Sequence, residues 1–544
     1  MGETAVEPHR WGTRRPGLRS TAVAPMIVVG AAVVATTVRL STPGEIHFDE
    51  VHYVTDARDI LEHGVEQRSA VHPPVGPRII AASIWLLGDH PLGWRAPAAL
   101  AGILTVWLTY LLVRRLVTAP VAAAFAALLL VLDGVFLVQA RIAMLDIFLA
   151  MFVVLAVWLF VVDHQRRTRV VPRAGPPTAA IPWALLGSGA ALGLATAVKW
   201  SGLFALGAVA ALAVGFQAAH LRRQGVALRR AWRTWLWSLA GLVALPAVVY
   251  VASWTPWLAA YDRTDAGREV CQDVPPEEAC LAGPVEHAAT LVAHHRRVVA
   301  FHTGLESDHR YQASPTTWPL QLRPVNYLWD RCDDQGLDRD EEPCAPPGRA
   351  TQILALGNLA VWWSGLLALP VLVGGAVRGQ MRSLVPLTLL LGQYLPWLFV
   401  GRATFSFYAV PMVPFLTAGI AIAVLELDRA RRWRGLLVGG GAGLAVGTAL
   451  AAAAWWRSAP DLSTGSVVVI AAVLVGAAFG GLRDRRAEAV TPPQPPRRRW
   501  RAGVIGALIL LAAIALFTYF APIWFGLPAE TAAIRARWWL SSWV

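Results

Sequence analysis

Apolar residues along the chain gather into blocks of roughly twenty, the length an α-helix needs to cross a bilayer. Short polar stretches rich in arginine separate the blocks. The blocks fall at about 22–40, 94–113, 119–134, 142–162, 181–198, 200–219, 232–252, 352–374, 383–400, 404–424, 435–454, 466–482 and 502–521. Two polar stretches are longer, about 41–93 and 253–350. Within the first, Arg78–Leu87 is apolar but too short to span. If it spanned, Arg114/Arg115, the run from Arg166 to Arg173 and the Arg222–Arg233 cluster would all lie outside. If it lies at the interface or re-enters, these fall inside together with Arg378/Arg382, Arg429–Arg434 and Arg483–Arg501. Cytoplasmic loops carry the Lys/Arg excess, so the second arrangement is the one the charges support. The pattern predicts an all-α integral membrane protein with about 11–13 transmembrane helices. Residues 1–21 form a cytoplasmic tail, 22–424 the main membrane region with outer loops 41–93 and 253–350, and 425–544 a C-terminal membrane region.

Inside the first outer loop, Val51, Val54, Ala57, Ile60 and Leu61 recur at helical spacing, with Asp56, Arg58, Asp59 and Glu62 opposite. This predicts an amphipathic helix on the outer membrane surface.

Composition agrees with the pattern. Of 544 residues 56% are hydrophobic and 15% charged, against about a quarter charged in soluble domains. The net charge of +13 can mark a nucleic-acid binder. Here the arginines sit in the short loops, which points to the bilayer as the partner and to no nucleic acid. Arg10, Arg14, Arg15 and Arg19 precede a first apolar block too long for a signal-peptide core and without an obvious cleavage site, so it reads as a retained helix. Lys199 is the sole lysine, an arginine bias typical of a GC-rich bacterial genome. All four cysteines, Cys271, Cys280, Cys332 and Cys344, lie in the second outer loop. An oxidising exterior predicts two disulfides, Cys271–Cys280 and Cys332–Cys344 being the local pairing among three connectivities. A four-cysteine metal site is the alternative, but spacings of 9 and 12 do not resemble a zinc knuckle.

Several ionisable groups keep unusual company at the predicted outer face. Asp49-Glu50 follows the first span in IHFDEVHY, where a carboxylate can act as a general base on a hydroxyl or simply favour a helix N-terminus. His72 lies in VHPPVGPR, a paired-proline turn. Asp133, Arg141 and Asp146 sit at the ends of apolar helices, where charge is expensive unless paired; an Arg141–Asp146 ion pair is the structural alternative to a site. Lys199, in AVKWSG, is retained where arginine is the rule, as a required point charge would be. Arg402 beside aromatics can bind phosphate or act as a snorkelling anchor.

The segments FDEVH (48–52), HPP (72–74), Arg141 to Asp146, KWSG (199–202), FHTG (301–304), HRYQASPTTWPL (309–320) and Arg402 to Tyr408 together resemble the protein O-mannosyltransferases, in content and order. The resemblance covers residues 48–408. It implies a C-type glycosyltransferase fold and an inverting transfer of mannose from polyprenyl-phosphate-mannose to Ser or Thr of exported proteins, met during or after passage through the export machinery, with no metal or other cofactor. It maps the catalytic acidic pair onto Asp49, the base, and Glu50, which orients the loop. Arg141, Lys199 and Arg402 are expected at the donor phosphate, and His72, Asp146, His302, His309, Tyr311 and Trp318 around the substrates. A stretch of 253–350 is too short for the lectin-like module of eukaryotic members, so a bacterial, module-free enzyme of the plasma membrane is implied, with its site on the extracytoplasmic face. Arg78 after the prolines and Arg310 after His309 depart from the family pattern. Two rivals remain at this level. A transferase acting on a lipid or cell-wall polymer would share the fold. A secondary transporter would carry internal repeats and midplane charges, neither of which the sequence has.

Fusing a topology reporter near Gly225 should give a cytoplasmic signal and near Gly336 an exterior one; the opposite signal at either position refutes the arrangement of spans.

Overall fold

The computed structural model describes residues 18–67, 71–169, 181–225, 232–272, 280–281, 283–304, 309–330, 348–427 and 500–543. The first half contains α1 (Leu18–Thr37), α2 (Glu50–His63), α3 (Val75–Leu87), α4 (Pro91–Val117), α5 (Pro120–Val131), α6 (Gly134–Gln139), α7 (Leu145–Arg169), α8 (Trp183–Val198), α9 (Gly202–Arg223) and α10 (Trp232–Leu239). A π-helical turn joins α10 to α11 (Leu245–Ser253), and α12 (Thr255–Ala259), α13 (Asp265–Cys271) and α14 (Pro284–Thr303) follow. The second half has β1 (Val325–Asp330), β2 (Arg349–Ala355), α15 (Leu359–Val377), α16 (Met381–Tyr394), α17 (Val413–Leu427), α18 (Trp500–Phe525), β3 (Ala529–Glu530) and α19 (Thr531–Arg535).

Seven helical stretches among the described residues are long and apolar enough to cross a membrane, and four shorter apolar helices accompany them. The chain is a multi-pass membrane protein. Among the described residues, 94% of the apolar window is buried against protein in the Ser406–Glu426 stretch that runs into α17 and 72% in α7, against only 11% in α18, so the Ser406–Glu426 stretch and α7 form the middle of the bundle. Close helix approach uses small residues: a Cβ on Gly189 of α8 would sit 1.7 Å from the Gly241 carbonyl. Asp133, wholly buried, caps α6 by accepting from Phe136 N and also accepts from Asn358 N and Trp362 Nε1. That carboxylate therefore locks α6 to α15 rather than serving chemistry. The predicted spans 435–454 and 466–482 lie outside the described residues.

Two local differences separate the structure from the sequence reading. The span expected from 352 begins only at Leu359, because Gln352–Ala355 belongs to β2. Its strand is buried at every position after Arg349, and a fully buried strand has the same continuous apolar run as a span. A small antiparallel sheet of order β1-β2-β3 thus stands among the helices. On α2, Val54 and Ala57 are buried as expected, but Val51 and Leu61 are exposed and Glu50 and Tyr53 turn inward. The helix is rotated to favour a polar anchor described below. The short apolar piece 78–87 forms α3, which leaves Trp85 and Leu86 on the surface.

Val65 of the first outer loop joins Trp254, Trp257, Ala260 and Tyr261 of the second in a small separate core, with Cys271 and Leu281 packed against it. The Cys271–Cys280 disulfide closes this core; Cys332 and Cys344 lie outside the described residues. Thiol labelling of unreduced, denatured protein should leave Cys271 and Cys280 unmodified, and labelling of either without reductant contradicts the bridge. Its loss should cost about 3 kcal/mol or less, because the closed loop is short.

Candidate active site

The site is built on the stretch that links α1 to α2. Arg95, from the first turn of α4, gathers this stretch: its guanidinium donates to the carbonyls of Leu40, Pro43 and Glu45 and to both carboxylate oxygens of Glu50, at 2.8 and 2.9 Å. Glu50 also accepts from Ala143 N, at the turn into α7, and from His47 N. Arg95 is 1% exposed and Glu50 fully buried. Burial alone would raise the Glu50 carboxyl, but the Arg95 hydrogen bonds, with His47 and Ala143 N adding, bring it below its ordinary value. Such a bidentate, fully satisfied pair is the form in which buried charge is tolerated.

With Glu50 committed, its neighbour is left free. Phe48 takes a left-handed backbone, φ 55°, a conformation costly for an aromatic residue. Its ring is stacked on Tyr327 at 4.2 Å and meets Phe407 edge-on at 5.7 Å. Asp49 follows, half-buried, capping nothing in α2. Burial raises its pKa above the ordinary 3.8; Lys199, His52 and His309 oppose the rise and Asp146 adds to it.

Opposite Asp49 stand the cations. Lys199, extended between α8 and α9, donates to both oxygens of Asp146 at 2.9 Å, and its ammonium lies 4.4 Å from the Tyr408 ring centroid. The guanidinium of Arg402 lies 5.9 Å from the same ring and is half-buried, without a hydrogen-bond partner among the described residues. His72 packs between Tyr53 and His302, at 5.9 and 6.0 Å. Burial, then Lys199, His302, Arg402 and His52, push its imidazole well below the usual range, so it is neutral. His302 bonds the Val71 carbonyl through Nε2, which therefore carries the proton, while its buried Nδ1 has no partner among the described residues.

The 309–320 segment closes another side. The His309 ring meets Phe405, and Tyr311 N donates to its Nδ1. Ala313 and Thr404 exchange two hydrogen bonds. Trp318 is buried against Trp397 and Tyr408, its indole N–H donating to the Ala313 carbonyl.

One expected member is elsewhere. Arg141 neither pairs with Asp146 nor joins the other cations. It donates to the carbonyls of Ala35, Thr36 and Arg39, capping the C-terminal end of α1, with its guanidinium over Phe525. The sequence reading missed Arg95, Phe407 and Tyr327. Arg95 carried a usable signal, a lone charge inside an apolar helix; Tyr327 carried none.

Comparisons with known proteins give the family. The family model described as dolichyl-phosphate-mannose-protein mannosyltransferase matches residues 26–259, and the model of the C-terminal four-span region of protein O-mannosyltransferase matches 288–463. A polyprenol-phosphate-mannose–protein mannosyltransferase of Mycobacterium tuberculosis is 34% identical over 438 residues, 73% of this chain and 80% of that one. The chain belongs to the protein O-mannosyltransferase family. A second relative of the same description, from Corynebacterium glutamicum, is 30% identical over 420 residues, 70% of this chain and 77% of that one. The solved protein O-mannosyltransferase complex Pmt1-Pmt2 of Saccharomyces cerevisiae, bound to its sugar donor, shares the fold with a TM-score of 0.67 at 14% identity, covering 98% of this chain and 93% of that one. As a member of this family, the protein is a glycosyltransferase of the C-type fold, which removes the transporter reading.

Glu50→Gln leaves Arg95 as an uncompensated buried charge, and Arg95→Met does the same to Glu50. Each should destabilise the mannosyltransferase by about 3–5 kcal/mol, read as a large fall in melting temperature in detergent. Arg58→Ala, which breaks an exposed pair with Asp89, should cost about 1 kcal/mol or less. Equal small shifts in all three contradict the anchor.

Proposed function

We propose that the protein transfers mannose from polyprenyl-phosphate-mannose to Ser or Thr hydroxyls of exported proteins in one inverting displacement. The observation that carries this reading is Asp49: a half-buried carboxylate, without hydrogen-bond partner among the described residues, close enough to Lys199 for the two charges to interact. The acceptor oxygen attacks the anomeric carbon, its proton passes to Asp49, and the bond from that carbon to the phosphate oxygen breaks. The polyprenyl phosphate leaves with the electron pair. Phosphate is a good leaving group once its charge is met, and Lys199 and Arg402, the two cations around Tyr408, meet it. The neutral imidazoles of His72 and His302 supply further polar contacts without competing for the phosphate charge. Asp146 fixes Lys199 and tempers it, and Arg141 supports the fold beneath. Because protein cations offset the leaving charge, no metal is required, and a chelator should leave the rate unchanged.

The lipid chain has a place to lie. A groove of about 470 Å³ between α14, α11 and the α8–α9 turn is lined by Trp200, Tyr250, Leu291, Val292, His295, Arg296 and Val299. It begins at the residue next to Lys199. The site then faces the exterior of the plasma membrane with the N-terminal tail in the cytoplasm, where exported acceptors arrive extended from the export machinery.

A general base is worth about 10²–10⁴-fold. Asp49→Asn should lower kcat with a Thr-rich peptide and polyprenyl-phosphate-mannose by at least about a hundredfold, with insertion and donor binding retained. Near-normal turnover at saturation contradicts the role. The base must be ionised, so activity should fall as pH drops through the Asp49 pKa. Since burial raises that pKa, the acid limb should lie above 3.8; a limb at or below that value contradicts the desolvated base.

A further inference from the structure

After α18 the chain turns at Gly526, pairs β3 with β2 and returns across the 309–323 loop. Its contacts there are specific. The indole N–H of Trp543, a side chain 1% exposed, donates to the Gln321 carbonyl at 2.9 Å. Ser542 Oγ donates to the Leu322 carbonyl, and Arg323 returns a bond to the Ser542 carbonyl. Trp538 Nε1 donates to Gln352, Gln352 donates to Asn326, and Asn326 donates to the Tyr311 hydroxyl. The segment thus reaches the loop twice, at its end and, through two side-chain amides, at Tyr311.

The point it grips is strained. Gln321 has φ 57°, left-handed in a residue with a full side chain. Its side chain is spent holding the Trp318 carbonyl and Gly357 N, so its own carbonyl is free to be taken by Trp543. Three residues before Gln321 comes Trp318, packed on Tyr408, the ring shared by Lys199 and Arg402. At the other end of the loop is His309, close enough to act on Asp49. His309 and Arg310 are exposed, so this loop is the water-facing wall of the site.

We propose that segment 526–543 positions the acceptor. Trp543 and Ser542 hold the 309–323 loop in the form that receives an extended, hydroxyl-bearing peptide beside Asp49, and they have no part in binding the lipid donor. This rests on the transfer reaction proposed above. Positioning residues far from the reacting atoms can act strongly, because small displacements of an aligned pair are costly.

The test compares full-length Trp543→Ala, Trp543→Phe and Ser542→Ala with the unaltered protein in liposomes. The acceptor is a Thr-rich peptide and the donor polyprenyl-phosphate-mannose, and backbone amide exchange is followed alongside. Trp543→Ala should raise the KM for peptide about tenfold while the donor KM stays within about twofold, and amides of 309–323 should exchange faster while those of α2 and α4 do not. Ser542→Ala, too mild to unfold the protein, should move the same parameters by a smaller factor, and Trp543→Phe, which keeps the ring, should recover part of the loss. An unchanged peptide KM, or peptide and donor KM rising together, overturns the proposal. Faster exchange at α2 and α4 as well would mark a general structural defect and also overturn it. If the unaltered protein fails to modify peptide, the transfer reading falls instead; unchanged exchange at 309–323 would then still overturn the clasp.

Discussion

A buried ion pair holds the outer half of this molecule together. Arg95 reads three backbone carbonyls of the α1–α2 linker and both oxygens of Glu50, and Glu50 in turn takes the amide at the entrance of α7. Desolvating two charges is expensive, and it is repaid only by complete hydrogen bonding. The completeness matters for function because it consumes Glu50 entirely. Of two adjacent carboxylates, one is fixed as scaffold, and the other is presented on a strained turn with nothing to bind. The rotation of α2 that exposes Val51 follows from this anchor: seating Glu50 takes precedence over seating a valine.

Around that free carboxylate the fold arranges a division of labour. The first turn of α7 supplies Asp146, and the residue that follows α8 is Lys199. The 401–408 turn supplies Arg402 and Tyr408, while the sheet and the 309–323 loop supply aromatic walls. Charge accumulates only where helices end, as the cost of burying it within a bilayer requires. The cations share one ring, Tyr408, and Asp146 neutralises one of them, so the site at rest carries limited excess charge. It can receive an anionic donor and release an anionic product.

Much of this was legible in the sequence because it is local. Span lengths, the amphipathic α2, the short α3 and the nearby cysteines 271 and 280 all follow from spacing. The DE pair, His72 before the paired prolines and the lone Lys199 stood out by type and order. What could not be read was pairing over distance. Arg95 finds Glu50 forty-five residues away, Lys199 finds Asp146 fifty-three residues away, and Arg141 prefers the end of α1 to the nearer Asp146. Local pattern holds no information on which of several charges meets which. The sheet was hidden for another reason: β2 is buried on both faces, so its apolar run continued into the run of α15. The site contribution of segment 526–543 was invisible because its donors are indoles and a serine hydroxyl acting on main-chain carbonyls.

The most direct test of the account is a comparison of stability with turnover in the double variant Glu50→Leu/Arg95→Met. Replacing both charges by apolar groups removes the uncompensated charge that each single change creates, so the melting temperature should return most of the way to that of the unaltered protein. Turnover should stay low, because the hydrogen bonds that aim Asp49 are gone. Recovery of full turnover together with stability would contradict the account, since the pair would then be scaffold alone and something else would hold Asp49 in place.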